Sequence, residues 1–340
     1  MAERQLVASP GEVLEAEEVD DEVQQYLERS SANTSQNDDS DSLASDPDSA
    51  AAEHPEAASA TPDIHKAGFL VGLAQDRNRR YRRSMEDAHS YHYNFGNVKG
   101  AGFFAIFDGH AGKSTAEYCS QHLHENFSQL LLEYPDIPIP AVLSKTFLLT
   151  DHQLSEKKGL FSGATAIVAH VRNEERPAPA PASTSTSSPP PPTSTRRVLY
   201  TANAGDSRAV LCRGGQARRL SFDHKGSDVN EVQRIVEAGG FVMNNRVNGV
   251  LAVTRSLGDI AMKEWVIGNP YTTETVMDDD DSCLILACDG LWDVCSDQVA
   301  VDLIKDMKDP QAAADALLEH ALNNMSTDNL SVMVVLFDKV

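Results

Sequence analysis

The stretch Phe103–Gly112, which reads FFAIFDGHAG, is central to interpreting the chain. Five apolar residues, three of them aromatic, stop abruptly at Asp108, Gly109 and His110. An apolar run of this kind is typical of a strand that is buried on both faces. A helical pattern then begins at about Lys113. The strand end therefore brings a carboxylate, a flexible backbone and an imidazole to one point, where chemistry can take place.

The bulk composition indicates a protein of a reducing compartment. The chain has 340 residues, 41% of them hydrophobic, and no apolar run approaches the length needed to cross a bilayer. Its N-terminus lacks the basic and then apolar pattern of a secretory signal. The five cysteines are odd in number, show no C-x-x-C spacing and lie mostly in apolar segments. We therefore expect buried thiols, no membrane association and a location in the cytoplasm and nucleus.

The negative charge is concentrated at the N-terminus. Residues 1–64 contain 17 Asp and Glu against two Arg, so they carry −15 of the net charge of −22. With almost no aromatic residues, they predict a disordered acidic tail, followed by a domain over residues 65–340. Within the tail, Glu12–Arg29 has an amphipathic pattern, typical either of a helix that docks on a partner or of a transient helix without a role. The acidity argues against nucleic acid as a ligand.

A second low-complexity segment interrupts the domain. Pro177–Thr195 consists almost entirely of Pro, Ala, Ser and Thr, which predicts a disordered insert over residues 176–196. Its strand-like flanks indicate an enlarged hairpin loop rather than a domain boundary. Pro189–Pro192 leave open a polyproline helix that binds a partner. The tail and the insert are therefore the candidate adaptor-binding segments.

The order of predicted elements indicates the fold class. Many consecutive strands with inserted pairs of helices predict an α+β fold with two stacked antiparallel sheets, and we expect a monomer. The predicted strands cover 69–73, 90–95, 103–107, 164–171, 199–203, 208–212, 282–288 and 330–337. The predicted helices cover 111–133, 139–156, 228–238, 296–307 and 310–323.

Several carboxylates lie where strands begin or end, and three of them adjoin glycine. Asp-Gly is a common hairpin turn, but both Asp-Gly pairs here precede helix-like sequence, and an unpaired buried carboxylate is costly. Carboxylates that converge repel one another unless cations lie between them, and Mg²⁺ and Mn²⁺ prefer oxygen ligands. The pattern predicts a divalent-metal site. The carboxylates concerned are Glu86, Asp87, Asp108, Asp206, Asp289 and Asp328.

A site of this type can direct an activated water at phosphorus or at a carbonyl centre. A phosphate substrate also needs a cation on its oxygens, which an arginine of the segment Arg77–Arg83 can supply. The same segment also fits a solvated basic loop or a nuclear-import signal. His110 adjoins the carboxylates and is a candidate general acid, a metal ligand or a structural histidine.

Seven motifs, in order, resemble those of the metal-dependent type 2C serine/threonine protein phosphatases. The resemblance spans about Gly68 to Phe337 and covers neither the acidic tail nor the insert. The motifs are RxxMEDAH (82–89), FDGHAG (107–112), SGATA (162–166), NAGDSR (203–208), VTRSLGD (253–259), CDGLWD (288–293) and STDNLSV (326–332).

The resemblance implies a four-layer α/β/β/α sandwich with a binuclear Mn²⁺ or Mg²⁺ site at one end. It implies that Asp108 bridges two ions, that Asp289 and Asp328 complete one site, and that the Gly109 carbonyl and Glu86, through water, serve the other. A weaker third ion is implied near Asp206, Asp293 and Asp289. Arg82 is implied to hold phosphate, His110 to act as general acid and Asp87 to support the site and help orient its water. The segment Asn245–Asp259 is implied to be a flap that is structural or positions substrate.

The implied activity is hydrolysis of phosphoserine and phosphothreonine on proteins by a metal-activated bridging water. The resemblance further implies down-regulation of kinase signalling, such as stress-activated MAP-kinase pathways, with phosphoproteins as partners. Two other functions are open from the sequence: a non-catalytic interaction module of the same fold, and hydrolysis of a phosphodiester or a small-molecule phosphate. Retention of every matched ligand argues against the first, and the absence of a basic groove argues against nucleic acid for the second.

Overall fold

The computed structural model describes residues 67–177 and 193–338. The predicted acidic tail, its amphipathic segment and most of the predicted insert lie outside these residues. Within them, two antiparallel sheets stack face to face with helices on their outer faces, which confirms the expected α+β architecture. In the described ranges no helix is both long enough and apolar enough to span a membrane.

All neighbouring strands within the two sheets are antiparallel. The first sheet contains, in spatial order, β1 (Phe69–Asp76), β13 (Leu330–Phe337), β12 (Asp281–Ala287), β6 (Arg208–Arg213) and β7 (Gln216–Arg219). The second contains β11 (Tyr271–Val276), β5 (Thr193–Ala204), β4 (Gly163–Pro177), β3 (Gly102–His110) and β2 (Ala88–Tyr93). The short β10 (Leu257–Gly258) also pairs with β4, and β8 (Val242–Met243) pairs with β9 (Arg246–Val247).

The helices lie in pairs on the outer faces of the sheets. On the second sheet, α1 (Ser114–Glu133) packs beside α2 (Ile139–Ser155), and the Phe127 ring lies 6.2 Å from that of Phe103 in β3. On the first sheet, α5 (Asp297–Ile304) and α6 (Pro310–Asn323) bury their apolar faces against β12 and β13. The remaining helices are α3 (Val229–Glu237), between β7 and β8, and α4 (Asp289–Trp292), directly after β12.

Strand β3 has the double burial that its sequence predicts. Phe104 and Ile106 pack with Leu284 and Leu286 of β12 in the core between the two sheets. Phe103 instead packs on the helical side, and all five residues of 103–107 are 0% exposed. Each large side chain buried in this way contributes about 1.5–3 kcal/mol to folding. A strand between a second sheet and a helix layer has no solvent face, which explains the missing apolar–polar alternation.

Two predicted boundaries are wrong because the backbone turns where the apolar pattern continues. The helix begins at Ser114, close to Lys113 where the helical pattern starts, and the wider predicted range from residue 111 is wrong because Ala111 and Gly112 have φ angles of 55° and 117°. These left-handed conformations are incompatible with a right-handed helix. The strand predicted through residue 95 ends at Tyr93, because Asn94 has a φ angle of 51°.

The bounds of the predicted insert, 176 and 196, are also wrong. Strands β4 and β5 remain paired as far as Pro177 and Thr193, although the insert does lie between two paired strands. Charged and aromatic side chains hold this outer part of the ladder together. Arg176 Nη2 donates to the Tyr200 hydroxyl over 2.9 Å, and that hydroxyl donates to Glu174 Oε1 over 2.8 Å. Composition alone cannot reveal such pairing.

Gly72 of β1 is a sensitive point in the packing of α6 on the first sheet. A Cβ atom at this position would lie 2.1 Å from the carbonyl carbon and oxygen of Pro310, which are backbone atoms that cannot rotate away. We therefore expect Gly72→Ala to lower the free energy of unfolding by about 3 kcal/mol, at the upper end of overpacking effects. Urea unfolding of the purified protein measures this change.

Gly159→Ala is the matched control for Gly72→Ala. Gly159 has a φ angle of 79°, and nothing lies within 4 Å of the position that its Cβ would occupy. Only backbone strain opposes that substitution, so we expect a loss of about 1 kcal/mol. Equal losses for the two variants would show that the contact with Pro310 is not what makes Gly72 necessary.

Candidate metal centre

Three carboxylates from separate parts of the chain meet at one end of the sandwich. Asp108 lies near the end of β3, Asp206 in the turn between β5 and β6, and Asp289 at the start of α4. Each offers a carboxylate oxygen, and these three oxygens lie within 4.8 Å of one another. The two sheets contribute jointly, because β3 belongs to the second sheet while α4 follows β12 of the first. The prediction that these strand ends converge is confirmed.

Two glycines let the backbone approach closely enough to form this cluster. A Cβ on Gly109 would lie 2.2 Å from the Glu86 carbonyl oxygen. Gly205 precedes Asp206 with a φ angle of 107°, and a Cβ there would lie 2.4 Å from the Thr165 side chain. The glycines of the motifs therefore determine where the carboxylates stand.

The cluster is electrostatically unfavourable without cations. Burial, followed by repulsion from Asp289 and other carboxylates, raises the pKa of Asp108 well above its ordinary value. Burial, followed by repulsion from Asp206 and Asp328, does the same to the pKa of Asp289. Positive charge between the groups would cancel the repulsion and offset the cost of burying the two carboxylates.

Asp87 supplies an unused acceptor next to the cluster. Its Oδ2 atom accepts a hydrogen bond from the Ser331 hydroxyl at 2.7 Å, whereas its buried Oδ1 atom has no partner among the described residues. Burial is the main cause that raises the pKa of Asp87 to about 6. A buried acceptor without a partner fits a site whose ion or coordinated water would complete it. The donor set consists of hard oxygens, which suit Mg²⁺ and Mn²⁺.

The Cys288 sulfur lies within 4.8 Å of a carboxylate oxygen of Asp87 and of Asp108, but a thiol is a poor ligand for Mg²⁺ and Mn²⁺. Its thiol donates to the Asn329 carbonyl at a sulfur–oxygen distance of 3.5 Å, and its sulfur accepts from the Ser331 amide at 3.2 Å. Burial raises the pKa of Cys288 well above its ordinary value. A protonated thiol whose bonds are satisfied has a structural role.

Asp328 lies next to this group and is paired with Arg82. The Arg82 guanidinium contacts the Asp328 carboxylate, and Arg82 Nε donates to the Thr327 carbonyl at 3.3 Å. Asp328 is close enough to contribute to the raised pKa of both Asp108 and Asp289, although it is not one of the three oxygens within 4.8 Å. The Arg82 side chain is 48% exposed, so its guanidinium is accessible from solvent.

Asp206 and Asp293 share a cation of the chain itself. Lys225 Nζ lies 3.3 Å from Asp206 Oδ2 and 3.2 Å from Asp293 Oδ1. The resemblance implies a weaker third ion near these carboxylates, but it offers no reason to single out Lys225. No spacing rule connects Lys225, in a polar loop after β7, with either aspartate.

Glu86 borders the cluster and is held by local hydrogen bonds. Its Oε2 atom accepts from the Gly112 amide at 2.9 Å, and its Oε1 atom accepts from the Ser84 hydroxyl at 2.7 Å. Its own amide donates to Asn329 Oδ1 at 2.9 Å. Among the described residues Glu86 is not in a close carboxylate group, so its implied role through water stays a prediction.

His110 is paired with the last residue of the predicted flap. His110 Nε2 lies 2.7 Å from Asp259 Oδ2, and Asp259 is only 5% exposed. The Ser256 hydroxyl also donates to this Asp259 oxygen. A Cβ on Gly163 would lie 2.1 Å from Asp259 Oδ2 and 2.3 Å from His110 Nε2, so the pair requires glycine there. The sequence predicts only a general structural or positioning role for the flap and misses this contact.

Comparison with known proteins agrees with the fold and the site. The family model described as "Protein phosphatase 2C" matches residues 71–330. The chain therefore belongs to the protein phosphatase 2C family and is a metal-dependent serine/threonine protein phosphatase. It is 45% identical to "Protein phosphatase 2C homolog 1" of Schizosaccharomyces pombe over 271 residues, which cover 79% of this chain and 73% of that protein.

Two further proteins extend this comparison. The identity is also 45% to "Protein phosphatase 2C homolog 1" of Saccharomyces cerevisiae, over 267 residues that cover 78% of this chain and 93% of that one. A crystal structure of a phosphatase from a pathogenic strain of Toxoplasma gondii superposes with a TM-score of 0.67 at 26% identity, covering 81% of this chain and 95% of the other. The family implies divalent metal ions, for which the carboxylate cluster is the candidate site.

The raised pKa values predict how metal binding depends on pH. At a pH above the folded-state pKa values of Asp108 and Asp289, both carboxylates are charged, and their repulsion destabilises the metal-free protein. Protonation at low pH removes this destabilisation, and so does the binding of a cation. At a fixed Mn²⁺ concentration, we expect the rise in melting temperature to be larger at about pH 7.5 than at about pH 5.5. Differential scanning fluorimetry with and without Mn²⁺ measures the rise in melting temperature at each pH. An equal rise at both pH values would contradict the explanation by carboxylate repulsion.

Removing the charge of Asp289 should have opposite effects on the stability of the metal-free protein and on metal binding. We expect Asp289→Asn to stabilise the metal-free protein at neutral pH by about 1 kcal/mol, because repulsion falls, and to abolish most of the Mn²⁺-induced gain. Asp306→Asn is the control, since Asp306 is exposed and forms no ion pair among the described residues. The hypothesis fails if Asp289→Asn retains the full response to Mn²⁺ in thermal unfolding.

Proposed function

We propose that the enzyme hydrolyses phosphoserine and phosphothreonine in proteins with two Mn²⁺ or Mg²⁺ ions held by the candidate metal centre. The observation that carries the proposal is the partly buried cluster of Asp108, Asp206 and Asp289, whose repulsion calls for cations. Asp108 would help to hold both ions, Asp289 and Asp328 would contribute to one of them, and the Gly109 carbonyl and Glu86, through water, would contribute to the other. When bound, the ions supply an activated water and neutralise charge on the phosphoryl group.

A weaker third ion is proposed near Asp206, Asp293 and Asp289. Lys225 already neutralises Asp206 and Asp293 with an ammonium group between them. An ion at this position would have to displace Lys225, which is consistent with weak binding.

Arg82 is proposed to hold the phosphoryl oxygens. Its planar guanidinium can donate two parallel hydrogen bonds to a phosphate, and its side chain is about half exposed beside Asp328. Asp87 is proposed to support the site and orient the attacking water, because its Oδ1 atom is an acceptor without a partner among the described residues. Both roles position groups around the phosphorus atom and need no covalent intermediate with the protein.

His110 is proposed to protonate the departing serine or threonine oxygen. An alkoxide is a poor leaving group, so a positioned acid accelerates its departure. Asp259 orients the imidazole through the 2.7 Å contact with Nε2. Asp259 is thus a positioning residue on the flap.

Leaving-group dependence tests the role of His110. We expect His110→Ala to reduce kcat on a phosphothreonine peptide by about 10²-fold or more, and to reduce it far less on p-nitrophenyl phosphate, whose leaving group needs little protonation. Asp259→Asn should show the same selectivity with a smaller loss. His122→Ala, a change at an exposed histidine of α1 paired with Glu125, should leave both rates unaltered. Equal losses on both substrates would remove the general-acid assignment.

One assay tests the reaction and its metal requirement. We expect Mn²⁺-dependent release of phosphate from a phosphothreonine peptide, loss of turnover on chelation, and a decrease of about 10²-fold or more in Asp108→Asn. A phosphodiester tested alongside should be a much poorer substrate. Metal-independent turnover, or a clear preference for the diester, would contradict the proposal.

The cellular setting is proposed on the resemblance of the motifs. We propose kinase activation-loop phosphothreonine as a target, including that of stress-activated MAP kinases, in the cytoplasm and nucleus. The catalytic domain over residues 65–340 is proposed to act as a monomer, with the tail over residues 1–64 and the insert as the segments that recruit adaptors. A pull-down that compares the full chain with one beginning near Asp63 tests recruitment by the tail.

A further inference from the structure

The loop between β1 and β2 carries unpaired positive charge at the edge of the metal centre. Among the described residues, Arg79, Arg80 and Arg83 are exposed and form no ion pair, and we call these three residues the arginine rim. The Arg80 guanidinium lies over the ring of Tyr81, 5.4 Å from its centroid. Several other arginines are matched with carboxylates: Arg208, Arg213, Arg219 and Arg255 each lie within ion-pair distance of at least one.

The loop that bears the arginine rim is fixed against the segment that carries Asp328. Asn78 Nδ2 donates to the Ser326 carbonyl at 2.7 Å. Asn329 Nδ2 donates to two carbonyls of the loop, that of Arg77 at 2.9 Å and that of Ser84 at 3.0 Å. Arg82, in the middle of the rim, itself contacts Asp328. The loop backbone therefore holds the rim within one to three residues of the group proposed to bind phosphate.

We propose that the arginine rim binds acidic side chains that flank the phosphorylated residue, so that the enzyme prefers phosphoserine and phosphothreonine in acidic sequences. This inference rests on the proposed function, because it concerns the substrates of the same centre. Guanidinium groups bind carboxylates through paired hydrogen bonds, and clusters of arginine are a common means of recognising phosphorylated and acidic motifs.

The net negative charge of residues 65–340 means that an acidic substrate needs local positive charge near the centre in order to bind. Residues 65–340 carry a net charge of −7, since the whole chain has −22 and residues 1–64 account for −15. An acidic phosphopeptide approaching this surface is repelled unless positive charge lies close to the centre. An extended peptide rises about 3.3 Å per residue, so residues one to three positions from the phosphorylated one lie within about 10 Å of it. They are in reach of arginines adjacent to Arg82.

Three phosphothreonine peptides that differ only in their flanks test the inference. The flanking positions carry aspartate, glutamine or lysine, and kcat/KM is measured with Mn²⁺ at low ionic strength. We expect the wild-type enzyme to prefer the aspartate peptide over the glutamine peptide by about tenfold, the combined effect of three exposed ion pairs. The preference should weaken in about 1 M NaCl, where the Debye length falls to about 3 Å.

The variant R79Q/R80Q/R83Q should lose this preference while keeping its rate on p-nitrophenyl phosphate, which has no flanks. The control K99Q/R218Q/K308Q removes the same charge at three exposed positions that form no ion pair in the described chain, and it should keep the preference. Charge reversal in R79E/R80E/R83E should shift the preference towards the lysine peptide. Melting temperatures of all variants establish that they are folded.

The results separate the inference from the proposed function. A wild-type enzyme that turns over all three peptides equally, or a glutamine variant that retains the preference, overturns the role of the rim while leaving the phosphatase mechanism intact. Loss of preference in the control variant as well would show that total charge, and not the rim, is responsible, and would also overturn the inference. No turnover of any peptide or of p-nitrophenyl phosphate contradicts the proposed function and the inference with it.

Discussion

Repulsion among partly buried carboxylates is the constraint on which the rest of this structure depends. Asp108, Asp206 and Asp289 come from three places in the sequence, yet their oxygens lie within 4.8 Å of one another. Such a cluster opposes folding unless protons or cations compensate the charge. The sandwich tolerates it because the core between the sheets is large and because β3 is buried on both faces. The fold thus holds in place a group of charges that would otherwise separate.

The flap contacts the metal centre through Asp259. Asp259 contacts His110, and the rest of the segment is anchored to α3 by Glu231, which accepts from Arg255 and from the Thr254 hydroxyl. Burial opposes ionisation of Glu231, but pairing with Arg255 outweighs it and lowers the pKa of Glu231 to about 2. The imidazole is therefore positioned by a chain of contacts that extends into the flap and α3.

The sequence predicts those features that depend on local pattern. Double burial of β3 follows from its uninterrupted apolar run, and the convergence of the carboxylates follows from their positions at strand ends. The helical pattern places the start of α1 at about Lys113, one residue before Ser114, but the left-handed backbone at Ala111 leaves no mark on the apolar pattern. His110 and Asp259 are 149 residues apart in the sequence, so no local pattern predicts their contact. Lys225 lies in a loop, and no regular spacing in the sequence connects it with Asp206 or Asp293. Contacts of this kind exist only once both sheets are assembled.

The long hairpin of β4 and β5 places its connecting segment far along the strands from His110 and Asp259. β4 runs from Gly163, next to His110 and Asp259, to Pro177, a distance of roughly 45 Å at the usual rise of a strand. Because Pro177 and Thr193 are paired neighbours, any polypeptide whose ends lie close together can connect them without disturbing the ladder. We therefore expect that the connecting segment can be lengthened, shortened or replaced without loss of catalysis. The same position is a natural graft point for a reporter or a targeting module.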